Sequence, residues 1–452
     1  MNRDSQSVIG NRQDIAGSPA RDLALDCIAA GIRATHPEVS IRTALSVSDS
    51  IVAVAGDEYD RSAYDRLVVL GGGNAAGTAA SALEGVLGDA IDDGAVVTDN
   101  PVETEDIRMG AGDHPLPSQQ GVDSTLDLLA LADDVGANDL VITLITGGGS
   151  ALLAAPDGLE VDDQRDVTES LLESGATIHE INAVRKHLSE IKGGRLARRL
   201  APATVIGLLW SDVVGDDPSV IASGPLSPDP STYADAEAVL DGYDIDVPTA
   251  VRERLRAGEA GELEETPASN APAFDRVHTY IVASNGTATT AAGKTADQRG
   301  FTPHILGSRI RGRAREVAKV LVGIAEEVRA TGHPVEPPAV LISGGETTVR
   351  ISGDGTGGPN HELATSAALE LDAEDITVAA VDTDGIDGNA SAAGGIVTAE
   401  TASDRAAAHE ALANNDTGPH LADVGAAIRT GPTETNVNDL HVIVVADPEA
   451  SP

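Results

Sequence analysis

Apolar runs of strand-forming residues recur along the first two thirds of the chain, and helix-forming sequence follows each of them. Most of the runs end in a glycine-rich or acidic loop. Continuous apolar strands that alternate with helices are typical of a parallel sheet covered by helices on both faces. We therefore predict an α/β fold in which ligands bind at the carboxyl ends of the strands, where these loops lie. The runs are 67–70, 140–145, 205–210 and 279–283.

The pattern changes at about residue 335. Beyond it, the sequence predicts a hairpin, one helix and two further strands in that order. Two short apolar runs flank residues 344–346 in the manner of a hairpin, and the helix begins at about Asn360. We interpret this region as a second domain of mixed α/β structure. The predicted division is a disordered N-terminus at 1–20, a first domain at 21–334 and a second domain at 335–452.

The composition of the chain is extremely acidic. It has 30 Lys and Arg against 72 Asp and Glu, a net charge of −42 over 452 residues. Such a surface stays hydrated in concentrated salt, which is typical of a cytoplasmic protein from a salt-accumulating halophile. Because 41% of the residues are hydrophobic and lie in recurrent runs, disorder of the whole chain is disfavoured.

The same composition narrows the classes of partner. The negative charge opposes nucleic acid, and no apolar run approaches the roughly 18 residues of a membrane span. Cys27 is the only cysteine, which excludes an internal disulfide and a cysteine-based zinc site. The polar N-terminus does not resemble a signal peptide. We expect a cytoplasmic protein with a small-molecule substrate, and a homodimer is one option that the sequence leaves open.

One segment, 182–199, reverses the charge of the chain. The segment contains six basic residues and only one acidic residue, Glu190. The natural partner of such a cluster is a small anion such as a phosphate or a carboxylate, and ion pairing with surrounding acids is the alternative. We predict a helix from Asn182 to about Lys192 on which Arg185, Ser189 and Lys192 share one face. The cations are Arg185, Lys186, Lys192, Arg195, Arg198 and Arg199.

Two glycine loops stand where a strand passes into a helix, a position at which backbone amides and the helix dipole can hold phosphate. The first also fits a loose G-x-G-x-x-A dinucleotide pattern, and the second places a hydroxyl at the helix start. A tight turn that requires glycine is the alternative for both. The residues concerned are Gly71, Gly72, Gly73, Asn74, Gly147, Gly148, Gly149 and Ser150.

Two groups of aspartates also follow apolar strands. The first contains Asp212, and the second contains Asp382, Asp384 and Asp387. Carboxylates at strand ends suit Mg²⁺ that is held together with waters and substrate phosphates. Solvated surface acids are the alternative in so acidic a chain. His114, on a loop, is interpreted as structural.

Eight segments together resemble the MOFRL-type glycerate 2-kinases. The segments follow one another in order, and the resemblance as a whole runs from about residue 20 to 446, nearly the whole chain. The segments are GDHPLPS (112–118), ITGGGSALL (145–153), INAVRKHLSEIKGGRLA (181–197), SDVVGDDPSVIASGP (211–225), SGGETTV (343–349), GGPNHELA (357–364), DTDGIDG (382–388) and GPTETNVNDL (431–440).

The resemblance implies ATP- and Mg²⁺-dependent phosphorylation of D-glycerate to 2-phosphoglycerate. It also implies a Rossmann-like N-terminal domain, a smaller mixed α/β C-terminal domain and an active site in the cleft between them. Arg185 and Lys186 would then hold the glycerate carboxylate or the transferring phosphoryl group. Asp212, with Asp384 or Asp387, would bind Mg²⁺ or accept the hydroxyl proton. Further candidate nucleotide contacts are Glu346 and Asn360.

The chain departs from the family pattern at two places. Asn74 stands where the family usually has a lysine, which increases the demand on the cations of segment 182–199. In the C-terminal domain, Pro359 and His361 replace an arginine and a glutamine. Two alternatives stay open: an NAD(P)H-dependent hydroxypyruvate reductase, for which Asp99 is a late candidate for the ribose-binding acid, and a nucleotide-binding protein without kinase turnover.

Overall fold

The computed structural model describes residues 7–447, and residues 1–6 of the segment predicted to be disordered lie outside that range. Residues 7–20 of that segment are folded, which corrects the prediction for them. They form helix α1 (Arg12–Ile15) and the start of α2 (Pro19–Thr35), and they bury Ile9 and Ile15. A local signal does exist, because Ser18 caps α2 and Pro19 occupies its first turn.

The chain folds into two compact units. The central unit is residues 40–282, and the terminal unit combines the residues up to 39 with those from 283 onwards. These limits differ from the predicted boundaries at 20/21 and 334/335. The difference arises because α2 and helix α12 (Asn285–Gln298) pack on the C-terminal sheet and contribute to its core. No helix within residues 7–447 is long and apolar enough to cross a membrane.

The central unit contains a six-stranded sheet and a small antiparallel one. The small sheet is β1 (Leu45–Ser48), β2 (Ile51–Val54) and β3 (Asp57–Asp60). The large sheet is β4 (Leu67–Gly72), β5 (Asp93–Thr98), β6 (Ile107–Ala111), β7 (Leu140–Ile145), β8 (Thr204–Trp210) and β9 (Val277–Ala283). Its helices are α4 (Ala76–Leu87), α5 (Gln119–Asp133), α6 (Gly149–Leu152), α7 (Val161–Glu173), α8 (Ile178–His187), α9 (Arg195–Leu200), α10 (Tyr233–Gly242) and α11 (Thr249–Glu259), and the sequence of α3 (Pro37–Ala44) includes the boundary between residues 39 and 40.

The order of the large sheet is β6-β5-β4-β7-β8-β9, and the pairs from β6 to β8 run parallel. Strand order therefore reverses between β4 and β7, as it does in dinucleotide-binding folds. The predicted parallel sheet and Rossmann-like topology are confirmed. Ligands of such sheets bind outside the carboxyl ends of the two strands at the reversal, and both glycine loops follow these strands.

The terminal unit is built on a mixed six-stranded sheet in the order β10-β11-β15-β12-β13-β14. The pair β10–β11 is parallel and the other pairs are antiparallel. Apolar clusters cover both faces of the sheet. The strands are β10 (Thr302–Arg313), β11 (Ala339–Thr348), β12 (Ile376–Asp382), β13 (Gly394–Val397), β14 (Ala427–Ile428) and β15 (Asp439–Val445), and the remaining helices are α13 (Ala314–Thr331), α14 (Pro359–Glu370), α15 (Arg405–Asn414) and α16 (Thr417–Asp423).

The hairpin predicted around residues 344–346 is wrong. Strand β11 runs straight through both glycines, and Glu346 is an exposed strand residue paired with Arg311 of β10. A Cβ atom on Gly345 would collide with the backbone of Ile310, so glycine is needed here for the close approach of β10 rather than for a turn.

Candidate active site

The first glycine loop is closed by hydrogen bonds within the protein. Three consecutive amides after β4 donate to β5 and to the second glycine loop. They are therefore not open to a phosphate, and the loop has the properties of a tight turn that requires glycine. The bonds are Gly73 N to Val97 O at 3.0 Å, Asn74 N to Gly147 O at 2.9 Å and Ala75 N to Thr146 Oγ1 at 3.2 Å.

The second glycine loop is open by comparison. Within residues 7–447 the amides of Gly147, Gly148 and Ser150 have no hydrogen-bond acceptor, whereas the amide of Gly149 donates to Thr146 O. Gly148 has a φ of 77°, in the left-handed region that favours glycine. Successive free amides around such a residue form a concave site for an anion.

The side chain at the family's lysine position is already engaged. Asn74 Nδ2 donates to Asp99 Oδ2 at 2.6 Å, and Asp99 directly follows β5. A Cβ atom on Gly148 would overlap the Asn74 side chain. Asn74 thus ties the two loops and β5 together instead of presenting its amide to a phosphate.

The helix of the basic segment is shorter than predicted. Helix α8 ends at His187 rather than near Lys192. Ser189 Oγ accepts hydrogen bonds from the amides of Ile191 and Lys192, and this local turn competes with helical bonding. The prediction that Arg185, Ser189 and Lys192 share one helix face is therefore wrong.

Arg185 and Lys192 nevertheless meet in one cavity of about 250 Å³, whose wall also contains Gly148, Ser150 and Asp212. Arg185 has no hydrogen-bond or ion-pair partner within the described part of the chain, and burial lowers the pKa of its guanidinium. Lys192 Nζ donates to the carbonyl of Leu153 at 2.6 Å. Burial and the nearby Arg185 lower the pKa of Lys192 to about 7. Such a pair of cations is poised to receive an anion.

Lys186 lies elsewhere. Its Nζ is 3.1 Å from Asp229 Oδ1, and both side chains are buried. Asp229 also accepts hydrogen bonds from Ser231 and Thr266. Lys186 is not part of the cavity wall, so its geometry favours a structural ion pair over the catalytic role predicted for it. Lys192 is the lysine that the fold brings to the cavity.

Asp212 follows β8 and lines the cavity, as expected from its place at a strand end. A Cβ atom on Gly147 would overlap its carboxylate, so this glycine is needed for the carboxylate to approach the open loop. His114, interpreted from the sequence as structural, lines the same cavity, and burial lowers its pKa. Its place in the GDHPLPS segment was the available signal.

Ser223 is a residue that sequence reasoning missed. Its Oγ lies 2.9 Å from Ser150 Oγ and 2.9 Å from Asn182 Oδ1, so it supports the hydroxyl that faces the cavity. Ala222 and Ser223 have φ values of 49° and 61°, which cost roughly 1–3 kcal/mol per residue. Strain of this kind persists where surrounding structure fixes a side chain. Nothing in the local sequence signals it.

The aspartates of the terminal unit form a closed network rather than an open site. Asp387 is fully buried, and both of its carboxylate oxygens accept hydrogen bonds at the start of α14. The metal-binding role predicted for Asp387 is therefore not supported by its geometry, because its oxygens already cap a helix. The donors are Asn360 N at 3.0 Å, Asn360 Nδ2 at 3.1 Å, His361 N at 2.7 Å and the His361 ring.

Asn360 also donates to Asp439 Oδ1 at 2.7 Å, while the amide and the hydroxyl of Thr347 donate to Asp439 Oδ2. The candidate nucleotide contact Asn360 is thus a linker between two buried carboxylates. Burial raises the pKa of Asp439 to about 6. The other candidate contact, Glu346, is exposed on β11.

The carboxylates of Asp382 and Asp384 are less well stabilised in their charged form than that of Asp387. Burial, followed by the charges of Asp384 and Asp439, raises the pKa of Asp382 well above its ordinary value. Burial also raises the pKa of Asp384. A cation would relieve this crowding of negative charge. Among residues 7–447, no three His, Cys, Asp or Glu side chains are grouped so as to hold a metal ion by themselves.

Two family-wide sequence profiles match the chain. One, described as a domain of unknown function (DUF4147), matches residues 23–256, and the MOFRL family matches residues 339–439. A glycerate 2-kinase of Pyrococcus horikoshii is 38% identical over 94% of this chain and 97% of its own length. A D-glycerate 2-kinase of Thermotoga maritima is 37% identical over 93% and 97%. A putative hydroxypyruvate reductase of Agrobacterium vitis is 40% identical over 89% and 92%.

Solved structures match equally well. A crystal structure of a Pyrococcus horikoshii protein superposes with a TM-score of 0.84, at 37% identity, over 95% of this chain and 99% of the other. The Thermotoga maritima glycerate kinase superposes with a TM-score of 0.83, at 36% identity, over 94% and 99%.

Proposed function

We propose a reaction for this chain, which belongs to the MOFRL-type glycerate 2-kinase family. It transfers the γ-phosphoryl group of ATP to the 2-hydroxyl of D-glycerate with the help of Mg²⁺. The names of the Pyrococcus and Thermotoga relatives support the reaction class. The observation that carries the proposal is the cavity of Arg185. There a guanidinium without a partner among residues 7–447 lines the same cavity as the open second glycine loop.

Recognition of glycerate rests on the two cations. Arg185 can bind the carboxylate through two parallel N–H donors, and protonated Lys192 adds a second positive charge. The free amides of Gly147, Gly148 and Ser150 can hold the oxygens of the transferring phosphoryl group. Phosphoryl transfer needs mainly positioning and neutralised charge, and these groups supply both.

Asp212 is the carboxylate of this cavity, so it is our candidate to accept the proton of the 2-hydroxyl or to bind Mg²⁺ together with waters. Asp384, in the terminal unit, is a separate candidate for holding a cation, because burial raises its pKa and a nearby cation would favour its charged form. Mg²⁺, when bound, would neutralise phosphate charge. Asp387 is withdrawn from the metal set and Lys186 from the catalytic set.

The experiment is a product assay. Purified protein in molar KCl with ATP, Mg²⁺ and D-glycerate should give 2-phosphoglycerate, identified by ³¹P NMR. Formation of the 3-phosphate alone would contradict the proposed acceptor atom. ATP binding without any phosphorylated product would identify a nucleotide-binding protein instead of a kinase.

A hydroxypyruvate reductase is the second candidate. The strand order of the central unit, the position of Asp99 after β5 and the name of the Agrobacterium vitis relative favour it. The closed first loop opposes it, since a bound dinucleotide needs those amides for its pyrophosphate. Oxidation of NADH or NADPH on addition of hydroxypyruvate would support the reductase.

A further inference from the structure

A second group of cations follows Gly193-Gly194 in the chain. Arg195, Arg198 and Arg199 line an open cavity of about 370 Å³, together with Asp157 and Glu190. None of these residues lines the cavity of Arg185. In a chain with a net charge of −42, three arginines in one cavity call for an explanation.

Arg195 is the central member of this group. It is only 7% exposed, and no carboxylate within residues 7–447 forms an ion pair with it. Its Nη2 donates to the hydroxyl of Tyr233 at 3.1 Å, while its buried Nε has no partner. A guanidinium stays charged under all ordinary conditions, and burying an unpaired charge is costly. Arg195 is therefore a buried cation that no carboxylate of the described chain neutralises.

The carboxylates near the cavity are already taken up by other arginines. Asp157 pairs with Arg254. Glu190 pairs with Arg199 at 3.0 Å, and Asp133 pairs with the same arginine at 2.8 Å. Arg198 contacts the exposed Glu264 at 3.0 Å through one nitrogen, which leaves its other donors available. The acids of the wall therefore do not neutralise Arg195.

We propose that this cavity binds a phosphate-class oxyanion at a site separate from the cavity of Arg185. Tetrahedral oxyanions accept several charge-assisted hydrogen bonds, and the planar fork of arginine matches them well. Arg195 and Arg198 would supply the donors of the site, and Arg199, which is already paired with Glu190 and Asp133, borders it. The site does not depend on the proposed kinase reaction, because it uses none of the residues assigned to that reaction.

The experiment measures binding of inorganic phosphate in a protein whose first anion cavity has been disabled by Arg185→Gln. Titration calorimetry or ³¹P NMR in molar KCl should detect one bound phosphate per chain. Adding Arg198→Gln should weaken the binding by about tenfold or more, as expected for loss of a charge-assisted contact. The matched control is Arg405→Gln on the exposed start of α15, which removes the same charge elsewhere and should leave binding unchanged.

Arg198 is the first position to change because its side chain is 30% exposed, so its loss should not disturb the fold. Arg195→Lys keeps the charge but loses the fork, and it should also weaken phosphate binding; circular dichroism verifies its folding. The proposal is overturned if phosphate does not bind to the Arg185→Gln protein. It is equally overturned if neither Arg198→Gln nor Arg195→Lys weakens the binding.

Discussion

The cavity of Arg185 in the central unit and the network of Asp387 in the terminal unit both lie at strand ends and both concentrate charge. They differ in where the partners of that charge are found. Asp387 meets helix amides and His361 within the protein, whereas Arg185 has no partner in the described chain. Because buried polar groups are nearly always paired, a group left unpaired marks the place where a ligand is expected.

The largest effect is expected at a paired charge. Lys186→Met leaves Asp229 buried without its cation, and breaking a buried pair costs roughly 3–5 kcal/mol of unfolding free energy. Denaturant unfolding in molar KCl measures it. The activity of the remaining folded protein should be nearly unchanged, and a large loss of kcat would return Lys186 to the catalytic set.

Arg185→Gln should show the opposite signature. Removal of a preorganised charge from the transition state lowers kcat/KM by about 10²–10³, while stability stays the same or rises because an unpaired buried charge is gone. A coupled ADP assay and thermal unfolding provide the two readouts. Arg405→Gln is the control, and equal activity of both variants would refute the role of Arg185.

Asp387→Asn should reduce the stability of the protein, whether or not it also reduces activity. It removes the charge from two amide contacts at the start of α14, and each charge-assisted bond contributes about 1.5–3 kcal/mol. Asp372→Asn, at an exposed position, is the matched control. An unchanged unfolding midpoint would show that Asp387 is not a structural cap.

Lys192 should make activity dependent on pH. Its pKa of about 7 means that the cavity loses a positive charge above that pH. We expect kcat/KM to fall up to tenfold per pH unit above 7, and the fall should disappear in Lys192→Arg. The sign for stability is opposite. A lysine pKa lowered on folding makes the unfolded chain bind more protons between about pH 7 and the unfolded value, so this group favours folding as pH rises there.

The smallest effect on stability is expected at Asp384. Its pKa is raised by burial, so the stability it contributes is present below its unfolded pKa and is lost as pH rises through the folded one. Asp384→Asn should therefore leave stability at neutral pH unchanged or raise it by about 1 kcal/mol or less. Loss of Mg²⁺-dependent activity in the same variant would support a cation role, and full activity would exclude it.

The predictable part of the fold is the part set by local pattern. Apolar runs followed by glycine predicted β4, β7 and the loops after them, and the basic segment predicted an anion cavity. The sequence placed Lys192 beside Arg185 but on a continuous helix, and it assigned the catalytic role to Lys186, which does not line that cavity. Which lysine enters the cavity depends on where α8 ends, and Ser189 Oγ, which accepts hydrogen bonds from the amides of Ile191 and Lys192, favours an end at His187.

The remaining errors concern contacts between distant segments. Asp387 is a cap only because α14 begins nearby in space, and Gly345 belongs to a straight strand only because β10 lies against it. The limits of the terminal unit likewise depend on α2, which is far away in the chain. Local composition carries no information about such partners.

The contact between Asn74 and Gly148 has a consequence for anyone redesigning this enzyme. The Asn74 side chain fills the space beside Gly148, holds Asp99 and sits on a loop whose amide is bonded to Gly147. Restoring the family's lysine at position 74 would disturb the packing beside Gly148, the hydrogen bond to Asp99 and the bond between the two loops at the same time. The two loops should therefore be varied as one combinatorial library, because single substitutions at either would be epistatic with the other.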